Sequence, residues 1–235
     1  MDKLDILIVG GGAVGTTLAC ALQDSGLKSA LLETNPPPDV QADDPIDLRV
    51  SAVTRASQQI FTALGVWPGM TVRRVSPFRE MHVWDAGGDG VIHFDSAELG
   101  EDALGQIIEN RVIQRALWER RQNEGVVELL CSAAVAELAR DGGLVHARLT
   151  DGRLLHARLV VGADGAQSRV RQSAHIQTHG WAYDQQALAA TVSTEHSHRE
   201  TAWQRFLPTG PLAFLPLHDG RSSIVWSTTP QQARQ

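Results

Sequence analysis

The feature that most constrains the fold is a run of three glycines directly after a short apolar stretch near the start of the chain. This stretch, Leu4–Val9, reads LDILIV and predicts a strand because it is apolar and rich in β-branched residues. Gly10–Gly15 follows with the pattern G-x-G-x-x-G, and the residues after it have helical spacing. A second predicted strand ends on Glu33, 18 residues beyond Gly15. Together these segments predict a β-α-β unit.

Each glycine of this pattern has a predicted role in holding a dinucleotide. Gly10 allows the tight turn out of the strand, Gly12 lets the backbone approach a pyrophosphate, and Gly15 lets helix and strand pack closely. Ala13 and Val14 lie in the first helical turn, where free N–H groups and the helix dipole favour phosphate. The turn is therefore predicted to bind the phosphates of a dinucleotide.

Glu33 ends the second predicted strand, at the place where a carboxylate accepts hydrogen bonds from an adenosine ribose and disfavours a 2′-phosphate. No Gly-Lys-Ser/Thr follows the glycines, which excludes a phosphate-binding P-loop. The alternative interpretation is a glycine-rich turn beside an exposed glutamate, with no ligand. The strand and helix on either side favour an ADP-containing dinucleotide.

Composition and charge narrow the class of protein. The chain has 235 residues, of which 43% are hydrophobic and 20% charged, as in ordinary globular domains. Its net charge of −6 gives no footprint for nucleic acid or anionic lipid. We expect no transmembrane segment, since no apolar run approaches the roughly 20 residues that span a bilayer. Without a signal-peptide pattern, and with Cys20 and Cys131 as predicted free thiols, we expect a cytoplasmic protein.

The organisation after Glu33 argues against a simple NAD dehydrogenase. A simple NAD dehydrogenase would continue with further β-α-β units, whereas here residues 34–47 form a loop with four prolines and four aspartates. A helix, a β-hairpin over 79–95, a second helix and a three-stranded antiparallel meander running to Gly162 are predicted next. Four more strands are predicted after His179. This arrangement suits a dinucleotide domain that shares its chain with a β-rich substrate domain.

Four stretches of the sequence resemble a known family of enzymes. The stretches DILIVGGGAVGTTLACAL, DLRVSAV, IIENRVIQRALW and RLVVGADGAQSRVR together resemble class A flavoprotein monooxygenases, and among them the ubiquinone-biosynthesis hydroxylases that act on polyprenyl phenols and methoxy-quinols. The resemblance implies an α/β fold in which a Rossmann-like FAD/NAD(P)-binding domain of glutathione-reductase type is interleaved with a β-rich substrate domain. It places the FAD-binding domain at residues 1–76 and 101–178, and a partial substrate domain at 77–100 and 179–235.

The resemblance also implies roles for individual residues. Arg49 would lie near FAD, although an exposed charge before a helix is an almost equal alternative. Asn110 stands where many relatives carry an arginine or glutamine against the flavin. Asp164 and Gly165, with Ser168 and Arg171, match the family motif D-G-x-x-S-x-x-R, which is linked to both FAD and the reduced nicotinamide nucleotide. The glycines at 10, 12 and 15 would hold the FAD pyrophosphate, and Glu33 the ribose.

The chemistry implied is hydroxylation of a polyprenylated phenol or quinol with NAD(P)H and O2, through a flavin hydroperoxide. A hydrophobic aromatic substrate, other ubiquinone-biosynthesis proteins as partners and peripheral association with the inner membrane are the further expectations. Two alternatives stay open: a hydroxylase of a small soluble phenol, and a non-catalytic FAD-binding or assembly fragment. No catalytic residue is assigned.

Two further expectations concern what the sequence lacks. The family's downstream Gly-Asp motif, typically within GDAAH, is absent and the last residues begin a helix, so we expect a C-terminally truncated chain. No metal site is predicted, because the nine histidines are scattered. Only His196 and His198 are close in sequence, and we interpret both as solvated loop residues.

Overall fold

The computed structural model describes residues 3–41, 43–124 and 127–235, and the described residues form fifteen strands and five α-helices. The strands are β1 (Leu4–Val9), β2 (Ser29–Glu33), β3 (Val50–Thr54), β4 (Ser76–Phe78), β5 (Glu80–Asp85), β6 (Val91–Asp95), β7 (Gly105–Glu109), β8 (Glu128–Cys131), β9 (Val135–Asp141), β10 (Leu144–Leu149), β11 (Leu154–Gly162), β12 (Gln186–Val192), β13 (Thr201–Leu207), β14 (Gly210–Pro216) and β15 (Ser222–Thr228). The helices are α1 (Ala13–Ala21), α2 (Arg55–Ala63), α3 (Trp67–Thr71), α4 (Asn110–Glu124) and α5 (Arg169–Ser173), with 3-10 turns at Ser96–Leu99 and Gln232–Arg234.

The chain divides into two compact units. The first comprises residues 1–40, 63–69 and 113–179, and the second comprises residues 41–62, 70–112 and 180–235. The domain boundaries expected from the sequence, which assign FAD and substrate binding, stay a prediction. No helix of the described residues is long and apolar enough to cross a bilayer.

The first unit is built on a six-stranded sheet with the order β8-β2-β1-β11-β10-β9. Strands β8, β2, β1 and β11 run parallel to one another, and β11, β10 and β9 form the predicted antiparallel meander. Parallel strands need both faces covered, which explains why Leu7, Ile8, Leu31 and Leu32 are almost completely buried. The predicted β-α-β unit and the meander are therefore parts of one sheet.

Helices α1 and α4 pack on this sheet through buried side chains that include Trp118 and Cys20. Trp118 of α4 packs with Ile8 and Leu31 in a buried cluster. Cys20 of α1 is buried and its Sγ donates to Leu117 O at 3.7 Å, whereas Cys131 of β8 is half-buried. Burial raises the pKa of the Cys131 thiol above its ordinary value, so this side chain is held in its neutral form.

The second unit contains a six-stranded sheet with the order β12-β15-β14-β13-β5-β6. The hairpin β5–β6 was predicted, as were the four strands β12–β15. Strands β13 and β5 pair in parallel, with Thr201 opposite Glu80, although they lie far apart in sequence. This pairing joins the hairpin to the later strands and completes the sheet.

A second, three-stranded sheet with the order β3-β7-β4 belongs to the same unit and was not predicted. Its strands are short, and Pro77 in β4 is a residue that weakens a strand pattern. Ile107 of β7 and Phe78 of β4 pack against Ala202 and Leu217 in one buried cluster. The small sheet thus covers part of one face of the larger one.

Candidate functional site

Three strands of the first unit end side by side at one edge of the sheet. Strand β1 lies between β2 and β11, and Val9 pairs with both Leu32 and Gly162. Gly10 N donates to Leu32 O at 2.8 Å, and Ala163 N donates to Val9 O at 2.7 Å. The glycine-rich turn and the Asp-Gly motif, which are far apart in sequence, therefore meet. Loops at the carboxyl ends of parallel strands are where α/β proteins bind ligands.

Two of the glycines are required because backbone approaches backbone. Gly10 has a φ of +106°, and a Cβ placed on it would lie 2.4 Å from Ala163 O. A Cβ on Gly15 would lie 1.9 Å from Gly10 O, so only glycine allows α1 to begin so close to the turn. These are the tight turn and the close helix–strand contact that the pattern predicts.

Gly12 differs from its neighbours because a Cβ on it would meet no atom within 4 Å. It is the N-cap of α1, no side chain caps the helix, and no acidic residue lies in its first turn. The first helical hydrogen bond is donated by Thr16 N to Gly12 O at 3.0 Å. The N–H groups of Ala13, Val14 and Gly15 consequently lack helical acceptors and can bind an anion.

Glu33 contacts the glycine turn directly through Gly11, a residue to which the sequence analysis assigned no role. Its Oε2 accepts a hydrogen bond from Gly11 N at 2.5 Å, and its Oε1 accepts one from Asn35 N at 2.9 Å. A Cβ on Gly11 would lie 2.8 Å from Glu33 Cβ, so the second glycine of the run makes room for this contact. The pattern G-x-G-x-x-G allows any residue at position 11, so the motif did not predict this contact.

Asp164 is engaged by its own loop. Its Oδ1 accepts from Ser168 Oγ at 2.5 Å, and its Oδ2 accepts from Arg169 N and Val170 N at 2.7 and 3.3 Å. Burial alone would raise the pKa of Asp164, but these hydrogen bonds outweigh it and the pKa lies below its ordinary value. The carboxylate therefore stays ionised and holds the start of α5.

The rest of the D-G-x-x-S-x-x-R motif also serves to shape this loop. Gly165 takes a φ of +80°, which favours glycine. Ser168 Oγ accepts from Arg171 N at 3.0 Å, and an Arg171 guanidinium nitrogen donates to Ala166 O at 2.9 Å. The motif builds a rigid turn beside Gly10.

An open cleft of about 420 Å³ lies over these loops. It is lined by Val9, Gly10, Gly12, Leu32, Glu33, Thr34, Ala133, Ala134, Val135, Ala163, Asp164, Gly165, Gln167 and Arg169. The segment that joins β8 to β9 and the cation Arg169 were not predicted to belong to the site. Arg169 is exposed and donates to Val135 O at 3.3 Å, which fixes its guanidinium over the cleft.

Arg49 and Asn110, the other predicted cofactor residues, lie in the second unit and are neighbours there. Asn110 N donates to Arg49 O at 3.0 Å, and Asn110 Oδ1 accepts from Ser51 Oγ at 2.6 Å. Their contact with a cofactor stays a prediction.

A buried ion pair fixes the chain around these two residues. Arg74 Nε donates to Glu109 Oε1 at 2.5 Å, and both side chains are more than nine-tenths buried. Glu109 also accepts from Asp47 N at 2.7 Å and from Arg111 Nε at 2.9 Å. Residues 47–49 and 109–110 are thereby held in one arrangement.

The second unit also contains a smaller, apolar pocket of about 200 Å³. It is lined by Ala52, Phe78, Met81, Ile107, Ala202, Trp203, Gln204, Ala213 and Leu215. An apolar cavity of about 150 Å³ is enough to bind benzene, so this pocket has room for one aromatic ring. None of its lining side chains is charged.

The histidines form no metal centre within the described residues. His196 is exposed, as expected, whereas His198 is half-buried. The ring of His198 bonds to Leu217 O at 3.1 Å and accepts from Glu200 N at 3.0 Å, so it is a structural residue of its loop. The sequence did not predict the partial burial of His198, because it depends on this contact with the Leu217 carbonyl.

Comparison with known proteins gives the family. The family model described as FAD binding domain matches residues 3–235. The chain belongs to that family. This confirms the α/β fold expected from the sequence, and FAD is the cofactor of the family. The chain is also 39% identical over 231 residues to 3-demethoxyubiquinol 3-hydroxylase of Escherichia coli K12, covering 98% of this chain and 59% of that protein.

Two more relatives agree with it. Ubiquinone biosynthesis monooxygenase COQ6 of Rattus norvegicus is 39% identical over 248 residues, which cover 98% of this chain and 51% of that protein. The solved structure of PqsL from P. aeruginosa with 2-aminobenzoylacetate superimposes with a TM-score of 0.81 at 26% identity, covering 99% of this chain and 63% of that one. The chain thus spans little more than half the length of the curated relatives it matches.

The residues of the cleft fit the dinucleotide part of FAD. Gly12 leaves open space at a helix start with free N–H groups, and the pyrophosphate is an anion that suits such a site. Glu33 is held by backbone N–H groups in a position where further acceptor capacity faces the cleft. The donor set therefore matches phosphate and ribose.

Proposed function

We propose that this chain acts as, or within, an FAD-dependent monooxygenase that hydroxylates a polyprenylated phenol or quinol in ubiquinone biosynthesis. The observation that carries the proposal is the cleft at the ends of β1, β2 and β11, where backbone N–H groups and a carboxylate converge. The names of its relatives, a demethoxyubiquinol hydroxylase and a ubiquinone-biosynthesis monooxygenase, support the substrate class.

In this proposal the first unit binds the cofactor. The N–H groups of Ala13, Val14 and Gly15 bind the pyrophosphate, with the Gly12 backbone in contact because no side chain intervenes. Glu33 accepts hydrogen bonds from the adenosine ribose. FAD, once reduced by NAD(P)H, supplies the activation of O2 that protein side chains cannot provide.

Several further residues are assigned on the same basis. Arg169 adds a positive charge beside the pyrophosphate. Asp164 and Gly165 bring the backbone of their loop close to the cofactor, with the carboxylate acting through the turn that it holds. Arg49 and Asn110 are proposed as flavin contacts from the resemblance. No side chain is assigned as a catalytic acid or base.

The second unit supplies the ring-binding surface in this proposal. No charged side chain lines its pocket, so a neutral quinol would bind there more favourably than a ring that bears a carboxylate. A volume of about 200 Å³ holds the ring and leaves a polyprenyl tail outside. Such a tail favours peripheral association with the inner membrane, where other ubiquinone-biosynthesis proteins would be partners.

The test is incorporation of isotope. The protein is incubated with FAD, NADH or NADPH, a polyprenylated phenol and ¹⁸O2, and the product is examined by mass spectrometry. We expect one ¹⁸O atom in the aromatic product. Nicotinamide oxidation without a labelled product would contradict the hydroxylase function, and labelling of a short-chain phenol alone would favour the small-phenol alternative.

A further inference from the structure

The apolar pocket of the second unit contains one side chain that is well suited to hydrogen bonding. Trp203 packs its ring against that of His82 in a tilted arrangement, with the ring centroids 5.2 Å and the ring planes 52° apart. Because neighbouring residues of a strand point to opposite faces, Gln204 directs its side chain to the face that bears the pocket. The other lining side chains are aliphatic, aromatic or a thioether.

The amide of Gln204 is available to a ligand. Its backbone pairs with Ala213 and Val83, but within residues 3–41, 43–124 and 127–235 its side chain makes no hydrogen bond. The side chain is half-buried, and its amide atoms are not among the fully buried polar atoms that lack a partner, so they remain accessible to a ligand. A ligand that offers both a donor and an acceptor can hydrogen-bond to both the carbonyl oxygen and the NH2 group of this amide.

We propose that Gln204 recognises a hydroxyl group on the bound aromatic ring and so selects phenols and quinols over rings without one. A phenolic hydroxyl donates one hydrogen bond and accepts others, and the amide does both. The hydrogen bond fixes the rotation of the ring in a pocket whose remaining walls are smooth and apolar. This specificity rests on the proposed function, but it uses residues of the second unit alone.

The test compares two rings of similar size, phenol and toluene, by ligand-observed NMR titration of the purified protein without added FAD. We expect the preference for phenol, measured as the ratio of the two Kd values, to fall about fivefold in Gln204→Leu. Gln204→Met, which keeps the length of the side chain, should behave the same way. Arg205→Leu changes the next residue, which faces away from the pocket, and should leave the ratio unchanged.

Four results would overturn the proposal. The first is an unchanged ratio in both Gln204 variants with their fold intact by circular dichroism, and the second is an equal fall in Arg205→Leu. The third is failure of phenol to bind the wild-type protein, and the fourth is persistence of phenol binding in Ala213→Leu, which fills the pocket. Failure of FAD to bind, in contrast, would contradict the proposed function and leave this result unaffected.

Discussion

The backbone of Gly10 lies against that of Ala163 so closely that a Cβ on Gly10 would be 2.4 Å from Ala163 O. This contact joins the turn after β1 to the loop after β11, and both loops border the same cleft. The cleft is consequently formed by two distant parts of the chain. Substitutions at the glycines of the turn should have different effects, depending on whether a new side chain meets protein or open space.

Gly15→Ala is expected to destabilise the first unit by more than about 2 kcal/mol, because its Cβ would collide with Gly10 O. Gly12→Ala is the matched control, with a Cβ in open space, and should cost less than about 1 kcal/mol. Urea unfolding followed by circular dichroism measures both. Equal losses for the two variants would show that the close contact at Gly15 does not determine stability.

Asp164→Ala is expected to lower stability near neutral pH by about 1 to 2 kcal/mol, since the carboxylate bonds Ser168 and two backbone N–H groups. The lowered pKa of Asp164 means that its stabilisation is fully present above the ordinary aspartate value of about 3.9. It is lost as pH falls through the lower, folded-state pKa. The gap between wild type and variant should therefore narrow on acidification.

Unfolding curves at pH 7 and at about pH 3 check this pH dependence. Asp24→Ala, which removes an exposed carboxylate of the same unit, is the control and should change stability little. A gap for Asp164→Ala that stays constant, or widens as pH falls, would be inconsistent with an ionised carboxylate holding α5.

Arg74→Met is expected to lose about 3 to 5 kcal/mol, because it leaves the carboxylate of Glu109 with one cationic partner fewer in a buried place. The double variant Arg74→Met, Glu109→Leu should recover part of that loss, since neither charge of the nine-tenths-buried pair remains. Arg148→Met removes the exposed pair with Glu137 and is the control, with little change expected. Equal losses of unfolding free energy in Arg74→Met and Arg148→Met, measured by denaturant unfolding, would argue against a structural role for the buried pair.

Glu33→Ala is expected to weaken FAD binding about tenfold or more, because a charged acceptor for the ribose is lost. Glu33→Gln keeps an acceptor for Gly11 N and should have a smaller effect. Flavin fluorescence titration gives the affinities, with the exposed Glu137→Ala as control. Wild-type affinity in Glu33→Ala would remove Glu33 from the site.

Much of the fold follows from local sequence patterns. The strand, glycine turn, helix and second strand up to Glu33 were predicted, and so were the hairpin β5–β6 and the strands β9–β15. The small sheet β3-β7-β4 was missed, because strands of three to five residues carry little periodicity and Pro77 weakens the pattern. The parallel pairing of β5 with β13 was also missed, since it depends on long-range packing.

The candidate site was predicted in composition more than in geometry. The motif glycines and Glu33 meet at one sheet edge, as their spacing indicated. The contact of Gly11 with Glu33, the place of Arg169 over the cleft and the internal hydrogen bonds of Asp164 depend on three-dimensional proximity, which motifs do not encode. The sequence did not single out Gln204, because a glutamine in a strand suggests a binding role only when the structure shows that it lines a cavity.

The most direct test of the central claim, that the cleft of the first unit binds FAD, is a fluorescence titration of FAD with the purified wild-type protein and with Gly12→Leu. The Cβ of the variant lies in open space over the helix start, with no atom of the described residues within 4 Å. We predict saturable quenching of flavin fluorescence at one FAD per wild-type chain, and its loss in Gly12→Leu with only a small fall in Tm. Absence of saturable quenching by folded wild-type protein, or equal quenching by the variant, would contradict the claim.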